Sequence, residues 1–357
     1  MKMHNFNSGP SILPREVLQE AAEAIYNFDT VGLSILEIGH RTEWFIHVIE
    51  EAKSLVKELL GLDDNFEVLF LHGGATTQFM QVPMNFLEAS KGAAYCVNGI
   101  WGKKAITEAK LFGPVTIAGS SAGKNYTFIP KDVSIPENSS YLHFTSNNTV
   151  EGTQWHHFPK TVVPLVSDMS SDIFSRKIDF STCSLIYAGA QKNVGIAGTT
   201  LVIIRKDFLE HKNAGIPAIM DYKNHIEGGS LLNTPPVFAI YVSLLTLRWI
   251  KKEGGLAEME KRSLERSTFF YEALDQLPLF LPTVAKEDRS RMNAVFTIED
   301  KGLENKFLEA CTENGMVGIK GHRSIGGLRV SMYNALPMES LELLVKLMEQ
   351  FSHQYTS

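Results

Sequence analysis

Short apolar runs recur between residues 66 and 168, and this spacing limits the fold more than any other feature. "FEVLFL" (66–71), "GAAYCV" (92–97), "PVTIAG" (114–119), "SSYLHFT" (139–145) and "VVPLVSD" (162–168) read as short buried strands. Helical patterns lie between some of them, and such alternation predicts an α/β layered core around a mainly parallel sheet. Upstream, "PREVLQEAAEAIYNF" (14–28) and "EWFIHVIEEAKSLVKELLG" (43–61) read as helices. Pro14 suits the start of the first and Gly61 the end of the second. After about residue 236 two long helices (237–255 and 255–277) precede a strand in "RMNAVFTIED", a helix in "ENKFLEACTENG", a strand in "GGLRVSMY" and a last helix from Met338. This order predicts a small α+β domain. The expected division is a large domain over 15–257 and a small C-terminal domain over 258–357 together with 1–14, bridged by the helix near 255–277.

Composition narrows the partners. The 357 residues carry a formal net charge of −6 with no basic run, so nucleic acid and anionic membrane surfaces are excluded as general partners. A bound anion must meet a local cluster of positive groups. Cys96, Cys183 and Cys311 lie far apart without a Cys-x-x-Cys pair, which argues against a disulfide framework or a metal site and for a reducing compartment. The opening "MKMHNFNSGPSILP" has no signal-like apolar stretch, and no run reaches the length of a membrane span, so a cytoplasmic location is expected.

The segment "SLIYAGAQKNVGIAGTTLVII" (184–204) places one lysine, Lys192, between two apolar runs. A lysine in such a turn can simply point into water, since lysine is almost never buried unpaired. Its small neighbours also let a planar group approach the backbone. Burial there would lower the lysine pKa and supply a neutral amine, the nucleophile for Schiff-base chemistry. A Schiff-base cofactor such as pyridoxal phosphate further needs a carboxylate at its pyridine nitrogen. Asp168, closing the run "VVPLVSD", would stand at a strand C-terminus, where open α/β sheets bind ligands; it could equally be a helix N-cap before "MSSDIF". A phosphate needs backbone N–H groups, and "LHGGATTQF" runs from a strand through a glycine turn into a helix N-terminus. An ordinary strand–helix turn would read the same. Trp101, between glycines in "VNGIWGKKA", suits either a stacking ring or a core position.

Taken together, "YAGAQKN", "SDMSS", "HGGATTQF", "NGIWG", "NTPP" and "KGHRSIGGLRVSMYNALP" closely resemble the phosphoserine aminotransferase family, within the class V group of fold-type-I pyridoxal-phosphate enzymes. The resemblance runs from "FNSGPSILP" to the final helices. It implies pyridoxal 5'-phosphate bound as a Schiff base to Lys192, Asp168 at the pyridine nitrogen and Trp101 stacked on the ring. It implies a cofactor contact from Thr149 and a phosphate cradle from Ala75, Thr76 and Gln191. Asn233 and Thr234 would reach the phosphate from a neighbouring subunit, which implies a homodimer with shared sites. His40, Arg41, His322 and Arg323 resemble substrate-binding residues, and Arg329 resembles the clamp for the substrate α-carboxylate; guanidinium groups suit both carboxylate and phosphate.

One departure is that some members carry "GGRGQF" where this chain has "GGATTQF", so Thr76 stands in place of an arginine and one positive contact is missing. His72, just before that turn, is expected to be a core histidine rather than a group supporting the site. The implied reaction is reversible amino transfer between L-glutamate and 3-phosphohydroxypyruvate, giving 2-oxoglutarate and O-phospho-L-serine. The resemblance also permits the phosphorylated keto acid of vitamin B6 synthesis. The alternatives are another class V enzyme, such as a cysteine desulfurase, and a catalytically silent homologue. A desulfurase needs a mobile cysteine, and Cys311 lies in an expected helix.

Overall fold

The computed structural model describes residues 2–356. In chain order the elements are β1 (His4–Asn5), α1 (Arg15–Tyr26), α2 (Glu43–Leu60), β2 (Phe66–Leu71), α3 (Gly74–Phe86), β3 (Ala93–Val97), α4 (Ile100–Ala109), β4 (Val115–Ser120), β5 (Leu142–Thr145), β6 (Leu165–Asp168), β7 (Leu185–Gly189), β8 (Thr200–Arg205), α5 (Lys206–Leu209), α6 (Tyr222–Glu227), α7 (Val237–Lys252), α8 (Gly255–Gln276), β9 (Leu281–Pro282), β10 (Asn293–Thr297), α9 (Lys301–Glu313), β11 (Met316–Val317), β12 (Leu328–Ser331) and α10 (Met338–Thr356). Seven strands form one sheet in the order β2-β8-β7-β6-β5-β3-β4. Pairs from β4 through β7 are parallel, and β8 runs antiparallel to both neighbours. The sheet is therefore mainly parallel and mixed, as the alternation predicts.

Both faces of this sheet are covered, which explains why its strands read as unbroken apolar runs. Along β2 the side chains alternate: Val68 and Phe70 join the core under α1, α2 and α7, whereas Leu69 and Leu71 join the core under α3 and α4. The strand β6 starts only at Leu165, later than the apolar run suggests. Pro164 has no N–H to give the ladder, although its carbonyl accepts from Leu142 at 2.8 Å. Residues 170–174 form turns rather than the helix that would make Asp168 an N-cap.

A separate core gathers Phe270, Phe296, Phe307, Val330 and Leu344 around the antiparallel sheet β12-β10-β9. Phe6 is buried in it, because β1 pairs in parallel with β11. The helix α8 places Leu256 and Met259 in the first core and Phe270 and Leu274 in this one. Among the described residues, no helix is long and apolar enough to cross a membrane.

Candidate active site

The C-terminal ends of β2, β3, β5, β6 and β7 converge on one cavity of about 410 Å³. Nine residues singled out in the sequence line it: Ala75, Thr76, Trp101, Thr149, Asp168, Gln191, Lys192, His322 and Arg329. The strand order makes this possible. β6 and β7 are adjacent and parallel, so Asp168 at the end of one lies beside the turn that leaves the other.

Lys192 sits three residues beyond β7, in the connection to β8. That turn is pinned from two sides. Ser11 donates its N–H to Gln191 O (2.9 Å) and its hydroxyl to Lys192 O (2.6 Å). Asn193 donates to the carbonyl of Ile173 (3.2 Å) and accepts from the N–H of Asn334 (3.1 Å). The turn is thereby fixed with Lys192 on the cavity lining. Burial pushes the Lys192 pKa down to about 8; the Asp168 carboxylate opposes this and the Arg329 guanidinium adds to it. A lysine in this position supplies neutral amine near neutral pH.

Asp168 is buried and accepts the N–H (3.0 Å) and hydroxyl (2.7 Å) of Ser170, both on Oδ1. The Ser170 hydroxyl in turn accepts the N–H of Gly189 at 3.1 Å, tying the carboxylate to β7. Burial pushes the Asp168 pKa up, while the Ser170 bonds and the charge of Lys192 hold it down. With both Ser170 bonds on Oδ1, Oδ2 is the oxygen left for a cationic N–H in the cavity.

The opposite wall is the N-terminus of α3. Gly73 caps it with φ +91°, and a Cβ there would lie 1.9 Å from Thr77 Oγ1, so only glycine fits. The free N–H groups of this first turn, with Ala75 and Thr76 on the cavity surface, make an anion site with no acidic residue in the first turn. Trp101, in the first turn of α4, donates its indole N–H to Thr149 Oγ1 at 3.1 Å. The same threonine accepts Arg329 Nη1 on its carbonyl at 2.8 Å. A half-buried lysine, an acid with one open oxygen, an anion cradle and an aromatic face fit pyridoxal phosphate by the chemistry of their donor set.

Five singled-out residues lie outside the cavity lining: His40, Arg41, Asn233, Thr234 and Arg323. Arg41, Thr234 and Arg323 are exposed, and Thr234 O accepts from His72 Nε2 at 2.7 Å. This corrects the reading of His72 as a core histidine. Leu71 is the last buried residue of β2, and His72 stands exposed just past it. Arg323 remains close enough that, behind burial and Arg329, it helps push the His322 pKa down; Lys104 does the same. Several cavity residues carried no clear sequence signal, among them Ser8, Gly9, Thr145 and Asn147. Ser8 and Gly9 belong to a strap whose place depends on the pairing of His4 in β1 with Met316 in β11, far away in sequence.

A profile of the class-V aminotransferases matches residues 3–344 of this chain. The chain is 52% identical to a phosphoserine aminotransferase of Bacteroides thetaiotaomicron over 98% of its own length and 99% of that protein. Its fold superposes on the phosphoserine aminotransferase of Bacillus circulans subsp. alkalophilus with a TM-score of 0.97 at 42% identity, covering 99% of each chain. The pyridoxal-phosphate-bound phosphoserine aminotransferase of Trichomonas vaginalis gives a TM-score of 0.93 at 36% identity, covering 98% of this chain and all of that one.

Proposed function

The chain belongs to the phosphoserine aminotransferases of the class V aminotransferase family, and from that premise we propose how its cavity works. The enzyme is a pyridoxal-phosphate-dependent aminotransferase that moves an amino group reversibly between L-glutamate and 3-phosphohydroxypyruvate, a step in serine synthesis. When bound, the cofactor supplies an aldehyde that condenses with amines and a ring that accepts the electron pair released at the substrate α-carbon.

The chain's residues supply the rest. Lys192 would hold the aldehyde, and its amine would move the substrate α-proton as base and then acid. Its pKa of about 8 keeps both protonation states accessible near neutral pH. Asp168 keeps a proton on the pyridine nitrogen through Oδ2. The first turn of α3 receives the phosphate, and Trp101 covers one face of the ring. Arg329 clamps the α-carboxylate, and His322 meets the distal anionic group. The placement of Lys192 beside Asp168 in one cavity carries this reading.

His40, Arg41, Asn233 and Thr234 act in a second copy's cavity, so the working unit is a homodimer. In support, these residues lie outside their own cavity lining, and the chain before and after His40 and Arg41 exposes the apolar side chains Tyr26 (87% exposed), Leu36 (61%) and Trp44 (43%). The core around β12-β10-β9, separate from the two cores on the faces of the seven-stranded sheet, supports division into a large domain over 15–257 and a small one over 258–357 with 1–14. A cytoplasmic location suits the three free, buried cysteines. Glutamate-dependent formation of phosphoserine by the cofactor-loaded protein tests the activity; absence of turnover with intact cofactor would reject it.

A further inference from the structure

Next to the cavity, the loop from Asn147 to Thr153 joins three parts of the site. Thr149 receives Trp101 on its hydroxyl and Arg329 on its carbonyl. Thr153 donates its hydroxyl to Asn98 O at 3.3 Å. Between them, Glu151 is 5% exposed, and its Oε1 accepts the N–H of Ile100 at 2.7 Å. Ile100 is the first residue of α4 and the neighbour of Trp101. Contact is so close that a Cβ on Gly99 would lie 2.6 Å from Glu151 Oε2 and 2.3 Å from Asn148 Oδ1. Glu151 Oε2 itself is buried with no hydrogen-bond partner among the described residues.

We propose that Glu151 is a positioning residue for amino transfer: its carboxyl Oε1 anchors the first turn of α4, and so the Trp101 ring at the cavity, through the N–H of Ile100. An acceptor at a helix N-terminus satisfies one of the N–H groups that the helix itself leaves unpaired. The groups facing it are the N–H of Ile100 and its own N–H, the Arg329 guanidinium from β12, and Tyr126, whose pKa Glu151 helps to raise. Lys103 of α4 lines the same adjoining cavity. Burial pushes the carboxyl up to about 7 against those partners, so the anchor weakens as the group ionises across neutral pH. Nothing in the assignment of Lys192, Asp168 or Arg329 uses this residue, although its role in the reaction rests on the activity proposed above.

The test compares the cofactor-loaded parent with Glu151→Gln and Glu151→Ala from pH 6 to 8. One readout is amide hydrogen exchange at Ile100 and Trp101, corrected for intrinsic exchange, and the other is kcat and KM with glutamate. In the parent, protection of the Ile100 amide falls as pH rises through neutral, because opening the turn returns the carboxyl to water, where it releases its proton at its ordinary pKa. Glu151→Gln, which keeps a neutral carbonyl acceptor, stays near the parent's low-pH level and loses the fall. Glu151→Ala lies about fivefold below the parent at pH 6 in both protection and kcat, the loss expected for one hydrogen bond, with KM for glutamate nearly unchanged. Parent-like protection of Ile100 in Glu151→Ala, or an undiminished fall in Glu151→Gln, would overturn the proposal. Should Glu151→Ala not fold, the Glu151→Gln comparison alone decides. Should the parent not turn over glutamate, the activity assignment fails, while the exchange data still decide whether Glu151 anchors α4.

Discussion

Replacing Glu151 by glutamine should make the protein more stable above neutral pH and should change stability much less below pH 5. Glutamate ordinarily titrates at 4.5, and burial raises Glu151 to about 7 in the folded chain. Between those values the folded state holds a proton that the unfolded state has released. Stability therefore falls as pH rises through that window and levels off above about 7. The interval is worth about 3 kcal/mol at 1.36 kcal/mol per pH unit. The favourable bond from Ile100 and the charge of Arg329 are already contained in that value, because both hold the pKa down against burial. The side chain is almost fully buried, so solvent screening calls for little discount.

Glutamine has no charge to bury, so its advantage over the parent should grow by up to about 3 kcal/mol from pH 5 to pH 8 and then stay constant. Urea unfolding at fixed protein and cofactor concentration, at several pH values, measures it as a shift in midpoint with unchanged slope. Only the pH dependence of the difference matters, since other titrating groups cancel between the two proteins. A difference that is flat or that shrinks with rising pH would refute the argument and place the Glu151 charge in a better-solvated site than the structure shows.

In cofactor-free protein, labelling of Lys192 by an amine reagent should increase with pH around a midpoint of about 8; a midpoint near the usual 10.5 would show that burial does not control this amine. Gly73→Ala should weaken pyridoxal phosphate binding by about tenfold, because its Cβ would strike Thr77 at a left-handed residue, and should affect pyridoxal without phosphate far less; equal losses in fluorescence titrations would contradict a phosphate cradle at α3. Arg329→Lys should raise KM for glutamate by about tenfold or more, since a bidentate clamp and the bond to Thr149 O are both lost, and steady-state kinetics will show whether it does.

Much of this was legible in the chain because the constraints were local. Strands covered on both faces must be apolar at every position, so β2, β3 and β6 were visible as runs. Lys192 stood out because a charge interrupts two such runs, and Gly73 because a strand that turns straight into a helix needs a left-handed residue. What was hidden depends on distant pairing. Ser8 and Gly9 reach the cavity because β1 joins β11, Tyr333 donates its hydroxyl to Ser8 O and Ser11 bonds the Lys192 turn. Glu151 is an ordinary loop glutamate until α4 folds back so that Ile100 points at it. His72 was misread because apolar neighbours suggest burial, whereas the core ends one residue earlier, at Leu71.

The site's ionisable groups are governed by one opposition. Burial favours the neutral form of each, lowering Lys192 and raising Asp168 and Glu151. Their fixed partners then decide how far each moves. Arg329 acts on two of them in different senses: its charge favours the neutral amine of Lys192 and the ionised carboxylate of Glu151. The first is the state that the proposed proton abstraction needs. A substrate carboxylate seated on Arg329 offsets part of that positive field, so both groups become easier to protonate as the amino acid binds. Lys192 also has Asp168 beside it, which raises its proton affinity further, whereas Glu151 keeps the N–H of Ile100 and its own N–H as counterweights. The two groups therefore respond unequally to the same ligand, with the amine moving toward protonation while the anchor of Trp101 is buffered by backbone donors that no ligand displaces.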